Sequence, residues 1–287
     1  MSRLRTGRNI NRPFIETLAI NIFLILLGVF MALPLVYAVS SSLKPLDEIW
    51  MFPPKFFVRN PTLKNFKDLL SLMGDSWVPF SRCVFNTVFV AVAGTAGNVI
   101  LSSMCAYGLA KLKHPLKNKI FNLIVLALMF NGTVTAIPNF LILSKLHLVD
   151  SYLALILPAF ATPLGLYLMK QFIEQIIPDS LLEAARIDGS SEFRTFYTIV
   201  MPLVKSAWLT LIIFSFQSLW NLGTTNLIQS EHLKTVNYAL SQIVSAGISR
   251  TGTASAATVV MMIIPILVFV FSQSNVVESM ATSGMKD

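Results

Sequence analysis

Six stretches of the chain are apolar almost throughout, and each is long enough to cross the roughly 30 Å of bilayer hydrocarbon. They run near Leu18–Val39, Val84–Ala110, Ile120–Leu143, Tyr152–Phe172, Val204–Ile228 and Ala254–Val276. All six are predicted to be helices, because a backbone surrounded by lipid must satisfy its own hydrogen bonds. The pattern predicts an all-α membrane protein with six transmembrane helices, the membrane domain covering residues 18–276. An arm (1–17) precedes it and a short tail (277–287) follows. Two connections are large. One, about residues 40–83, is rich in Pro and aromatics (Phe52, Pro53, Pro54, Phe56, Phe57, Pro61) and is predicted to form an ordered cap, since a flexible linker would not carry so many large apolar groups. The other spans about 173–203.

Composition agrees with this pattern. The chain is 54% hydrophobic and 13% charged, about half the charge of a soluble domain. A net charge of +8 could suggest nucleic acid, but the basic residues lie mostly between the apolar runs, where they orient a membrane protein. With the N-terminus inside, 13 Lys and Arg fall on the inner side and nine on the outer, six of the nine in the long 40–83 loop. Long loops weigh less than short ones in setting orientation, so both termini are placed in the cytoplasm. Arg3, Arg5, Arg8 and Arg12 before the first run resemble a signal peptide. The run is too long for one and five more follow, so it reads as an uncleaved anchor. Cys83 and Cys105, if on one helix, are separated by about 33 Å of rise. A disulfide needs Cα atoms within about 7 Å, so both are read as free thiols.

Several spans carry helix breakers: Pro34, Gly94 with Gly97, Gly132 with Pro138, Pro158 with Pro163, and Pro265. Such breaks survive where other helices or a wet cavity satisfy the freed carbonyls, although Pro and Gly are also simply commoner in membrane helices.

The 173–203 connection carries the densest local signals. Ser180 and Glu183 have capping-box spacing, which predicts a helix starting at Ser180. Gly189 suits the left-handed position that ends it. Ser190 or Ser191 can cap a second short helix that stops at Pro202. Ala184 and Ala185 keep the surface low, so that a partner can come close. Glu183-Ala184-Ala185, Asp188-Gly189 and the later Ile199 and Pro202 resemble the EAA loop of binding-protein-dependent ABC importer permeases, with Met201 where the family usually has Leu. The resemblance covers nearly the whole chain. It implies a type I ABC importer permease fold, with this loop as a cytoplasmic coupling helix that docks on a separate ATPase. Glu183 has a second reading, in which it only closes the capping box. Phe52-Pro53-Pro54, Asn60-Pro61-Thr62-Leu63 and Trp220-Asn221 look like the carbohydrate branch, similar to the second permease of maltose-type transporters.

That resemblance implies a multi-pass subunit of the bacterial inner membrane in an ATP-driven importer for a carbohydrate, an oligosaccharide by preference. The implied partners are a second homologous permease, two ATP-binding subunits holding ATP and Mg, and an extracytoplasmic solute-binding protein that docks near Met51–Arg59. The substrate path is sought among polar residues within spans, since these tend to face protein or water. Asn131, Asn139, Tyr167, Gln217, Trp220, Asn221 and Thr224 are the candidates, joined by Thr133, Thr135 and Asn226. Planar amides and aromatic faces suit sugars, and Gln217 would share a helical face with Trp220 and Asn221. Amides also glue membrane helices together, and Trp220 also fits an interfacial anchor.

No catalytic role is assigned. His114, His147 and His232 are scattered and lack metal-ligand spacing. No phosphate-binding Gly-rich loop with Lys-Ser/Thr and no nucleophile elbow occurs. A self-sufficient secondary transporter or channel is the alternative class. It would show ionisable residues within the spans and inverted repeats. A membrane enzyme would need clustered catalytic groups near one face; the carboxylates from Glu174 to Glu192 alternate with basic residues and helix caps instead.

Overall fold

The computed structural model describes residues 14–74, 79–130, 132–223, 226–245 and 250–283. Among these the chain is helical, with no strand. In order the helices are α1 (Phe14–Ser42), α2 (Leu46–Ile49), α3 (Lys64–Gly74), α4 (Phe80–Lys111), α5 (Lys117–Ala127), α6 (Gly132–Lys145) and α7 (Tyr152–Phe160). They continue as α8 (Pro163–Ile176), α9 (Asp179–Ile187), α10 (Glu192–Thr195), α11 (Met201–Leu203), α12 (Lys205–Trp220), α13 (Val236–Ser245) and α14 (Thr251–Ser283).

Among the described residues, four stretches are long and apolar enough to span a membrane as they stand: Thr17–Ser42, Phe80–Lys111, Tyr152–Ile176 and Thr251–Phe271. The count reaches six if each of two bent pairs is one span. The first pair, α5 with α6, replaces the single helix expected over Ile120–Leu143 and bends by 111°. The second, Glu192–Leu203 with α12, bends by 82°. The fifth span therefore differs from its predicted extent. Its helix ends at Trp220, with Asn221 as C-cap, and residues 221–223 and 226–228 lie outside the helix, in a stretch that holds turn-forming Asn and Gly. Pro34, Pro138, Pro158 and Pro265 all lie inside helices; the breaks fall before Gly132 and Pro163.

The chain forms two compact units. The first comprises residues up to Leu69 together with Ile248–Val259. In it the start of the 40–83 loop is tied by buried polar groups. The Glu48 carboxylate, 6% exposed, accepts from the backbone N–H of Arg59 (2.8 Å) and Asn60 (3.3 Å). Asn65 donates to the carbonyls of Ser42 and Lys44, and Lys44 donates to the Lys55 carbonyl. Phe52 and Phe57 are left exposed.

The second unit comprises Leu70–Gly247 and the chain from Val260. α4 is its central helix, packed against α7, α8 and α12. Small residues let these helices approach closely: a Cβ on Gly97 would lie 1.9 Å from the Phe160 ring. The break between α7 and α8 has a direct cause. Pro163 has no N–H for the Ala159 carbonyl four residues earlier. The buried Asn98 side chain on α4 donates to that carbonyl and to the Thr162 hydroxyl instead. A neighbouring helix thus satisfies the freed group.

Candidate functional site: a braced loop and a cavity

At the Lys111 end of α4, residues 177–204 fold back on the helix. Ile173, Ile177, Leu182, Phe196, Val200 and Val204 join Ala106 and Tyr107 of α4 in one buried cluster. Three polar contacts fix the turn. Lys111 pairs with Asp179 at 2.8 Å, Arg186 with Glu192 at 2.7 Å, and the Tyr107 hydroxyl donates to Glu192 at 2.5 Å. The hydrogen bond and charge of Lys111 hold the Asp179 carboxyl below the usual carboxylate range. Arg186 and the Tyr107 hydroxyl do the same for Glu192.

The short helix here is α9. It begins at Asp179, not Ser180, with Pro178 as N-cap and no side-chain cap. The expected Ser180–Glu183 capping box is therefore not formed. Pro178 has the extended backbone of a cap, and Asp179 enters the first turn, where a carboxylate suits the helix dipole. Glu183 is exposed, with no hydrogen bond or ion pair among the described residues. The other end forms as predicted. Gly189 takes φ +77°, its N–H bonds to the Arg186 carbonyl, and the Ser190 N–H bonds to that of Ala185, a Schellman closure. Ser191 caps α10 by accepting from the Arg194 N–H. A π-helical turn, Phe196–Val200, follows. The helical path continues through Pro202 to Leu203 before breaking at Val204.

Leu182 and Ala185 face the core, while Glu183, Ala184 and Asp188 face outward. Ile199 is half-buried and Pro202 exposed. Beside them stand Ile187, 86% exposed, and Phe193, 60% exposed, two large apolar groups that the motif did not single out. The loop thus presents a low alanine flanked by two hydrophobic side chains, on a backbone locked from beneath.

A second surface is of a different kind. A cavity of about 580 Å³ is lined by Gly132, Ala136, Ile137, Asn139, Phe140, Pro158, Leu222, Asn226 and Leu227, well inside the range of small-molecule sites. Among the described residues its polar side chains are the amides of Asn139 and Asn226, and no charged residue lines it. Of the predicted path residues, Asn139 and Asn226 lie in this wall. Asn131 and Thr224 lie outside the described residues. Tyr167 stacks on Phe121 at 5.9 Å, with the Lys170 ammonium 3.8 Å from the centre of the Phe121 ring.

Gln217 and Trp220 do not share a face. Gln217 is exposed, whereas Trp220 is 2% exposed, stacks on Phe216 and donates to the Met261 carbonyl at 3.2 Å. Three residues turn a helix by about 300° rather than a full circle, enough here to separate core from surface. Asn221 caps α12 beside the cavity-lining Leu222. Asp150, discussed below, also belongs to this region. No sequence signal marked it, because its partners lie about 80 residues away.

Comparison with known proteins bears on both surfaces. Residues 98–282 match the family described as binding-protein-dependent transport system inner membrane component. The chain is 30% identical over 83% of its length, and 86% of the relative's, to the sn-glycerol-3-phosphate transport system permease protein UgpE of Pectobacterium atrosepticum. It is 27% identical to the arabinooligosaccharides transport system permease protein AraQ of Bacillus subtilis, over 94% of this chain and 95% of that one. A chain of a solved bacterial ABC transporter involved in the import of the acidic polysaccharide alginate has the same fold. Its TM-score is 0.76 at 21% identity, covering 94% of this chain and 99% of that one.

Proposed function

The chain belongs to the family of inner membrane components of binding-protein-dependent transport systems, and from that premise we propose that it forms half of the path of an ATP-driven importer for an oligosaccharide. The other half would be a second, homologous permease. Two ATP-binding subunits would supply the hydrolysis, with ATP and Mg held on those subunits. An extracytoplasmic solute-binding protein would deliver the sugar near the 51–59 segment. Both termini would lie in the cytoplasm, and the 177–204 loop with them.

The observation that carries this reading is the build of that loop. A docking element that transmits force must be stiff and must present a surface a partner can enter. α9 is closed at its C-terminal end by the Gly189 turn and tied to α4 through the Lys111–Asp179 pair, α10 is tied to α4 through Tyr107 and Glu192, and the loop shows Ala184, Ile187 and Phe193 outward. ATP-driven closure of the ATPases would push on it and tilt the helices behind it, an alternating-access motion of packed helices.

The cavity supports a neutral sugar over a phosphate ester. Two amides and an apolar wall that includes Phe140 suit hydroxyls and sugar faces, whereas the side chains that pair with a phosphate are Arg and Lys, and among the described residues neither lines this wall; Gly132, which opens α6, is the helix N-terminus there.

Affinity purification of the subunit from detergent-solubilised membranes, with mass spectrometry of what accompanies it, tests the assembly. Recovery of an ATPase and a second six-span subunit, lost in Ala184→Arg, is the expected result. A protein that purifies alone and transports in liposomes without ATP overturns the reading.

A further inference from the structure

The cavity wall that carries Asn226 and Leu227 has little regular structure of its own. Between Trp220, where α12 ends, and Val236, where α13 begins, the described residues form one 3₁₀ turn, Glu231–Leu233. Such a segment takes its position from its anchors. On one side these belong to α4. The Asn86 amide donates to the carbonyls of His232 (2.9 Å) and Lys234 (3.0 Å), and Thr87 accepts from the Val236 N–H at 2.8 Å. These bonds hold residues 232–236, beyond the part that lines the cavity.

Residues 227–230 are held from the turn between α6 and α7. α6 closes on His147, a left-handed residue (φ 54°), with the Leu148 N–H bonded to the Leu143 carbonyl. Three residues later Asp150 is also left-handed, at φ 64°. Its own N–H donates to the Leu227 carbonyl at 2.8 Å. Its Oδ1 accepts from the backbone N–H groups of Gln229 (3.0 Å) and Ser230 (2.8 Å), and its Oδ2 from the Ser230 hydroxyl. One residue therefore makes four hydrogen bonds to a single four-residue stretch, and that stretch begins in the cavity wall.

We propose that Asp150 is a positioning residue for transport: its carboxylate clamps residues 229 and 230, next to the Leu227 carbonyl that its backbone N–H holds, and so fixes the wall of the cavity that carries Asn226 and Leu227. This rests on the reading of that cavity as the substrate path. Binding groups work only when held within about half an ångström of the productive geometry by their supporting shell, and Asp150 is the side chain among the described residues that supplies this support to residues 229 and 230.

Two substitutions separate the carboxylate from the turn. Asp150→Gly accepts the left-handed backbone without strain but removes the clamp. Asp150→Asn also tolerates that backbone and keeps an oxygen for the two N–H groups. Spin labels at Ile137→Cys and Gln229→Cys, with Cys83→Ala and Cys105→Ser, report the distance across the cavity in the intact transporter in nanodiscs. Wild type and Asp150→Asn are expected to give one narrow distribution and Asp150→Gly one at least twofold broader. The proposal is overturned if Asp150→Gly stays as narrow as wild type, or if both variants broaden equally. On the native cysteine background, uptake of radiolabelled arabinotriose should show maximal rate lowered about tenfold in Asp150→Gly and restored in Asp150→Asn. Half-saturation, set where a separate binding protein captures the sugar, should not move. If Asp150→Gly takes arabinotriose up as fast as wild type, the clamp has no part in transport. If wild type takes none up, the sugar reading fails for that probe, while the label distances still decide the clamp.

Discussion

Single side chains settle where this chain bends and what it shows outward. Asn98 is the clearest case, because it replaces the hydrogen bond that Pro163 cannot make. Asn98→Leu, of similar volume, leaves the Ala159 carbonyl buried and unsatisfied, a loss of about 1–3 kcal/mol. The purified complex should melt at a lower temperature, whereas a substitution at an exposed α6 position such as Ile142 should not change it. Glu192 makes the corresponding contribution outside the membrane. Arg186 and Tyr107 both favour its ionised form, so its folded pKa lies below the ordinary 4.5. The stabilisation from this pairing is complete above that ordinary value and is lost only as pH falls through the lowered folded one. ATPase stimulation by the solute-binding protein should therefore show no titration of this group between pH 5 and 8, and Glu192→Gln should weaken that stimulation across the whole range. A loss that appears only near pH 5 in wild type would contradict the pairing.

Whole elements act as stiff parts, and two glycines test this in different ways. A Cβ at Gly189 meets nothing within 4 Å, so only its left-handed backbone matters. Gly189→Ala should cost about 1–2 kcal/mol and Gly189→Asn less. Gly189→Pro also forbids that conformation and removes the N–H that closes the helix. It is expected to abolish sugar-stimulated ATPase activity in a complex that still assembles; full stimulation would show that the turn does not transmit motion. At Gly97 the backbone is ordinary and space decides. Gly97→Ala drives a methyl into the Phe160 ring and should destabilise the α4–α7 contact by about 1–3 kcal/mol, with Phe160→Leu restoring part of the loss. These elements differ in how far the chain announces them. The six apolar runs and the Gly189 turn are legible because each rests on local composition or on a backbone preference of one residue. The α9 start was placed one residue late because Pro178 could do what Ser180 was expected to do. The bend before Gly132, the burial of Trp220 and the role of Asp150 depend on partners tens of residues away, which periodicity does not encode. The motif singled out the 177–204 loop but not Ile187 and Phe193, whose exposure follows from which face of the loop α4 covers.

Across the second unit, α4 connects two surfaces of different purpose. Its 32 residues rise by about 48 Å, enough to cross a bilayer and emerge on both sides. Lys111 and Tyr107 hold the 177–204 loop at one end, and Arg82, Asn86 and Thr87 hold the 232–236 segment at the other. A membrane across this helix would put Ile187 and Gln229 on opposite faces, and the excess of basic residues predicts Ile187 inside. The sidedness can be read directly from single cysteines at Ile187 and Gln229 with Cys83→Ala and Cys105→Ser. In intact cells a membrane-impermeant maleimide should label the cysteine at 229 and spare that at 187, with the pattern reversed in inverted vesicles. Adding back the ATPase to stripped inverted vesicles should then protect the cysteine at 187, since its side chain is 86% exposed only while nothing is docked there. Labelling of both positions from one side would rule out α4 as a span. Labelling at the expected sides without protection at 187 would keep the topology and move the ATPase contact elsewhere on the loop.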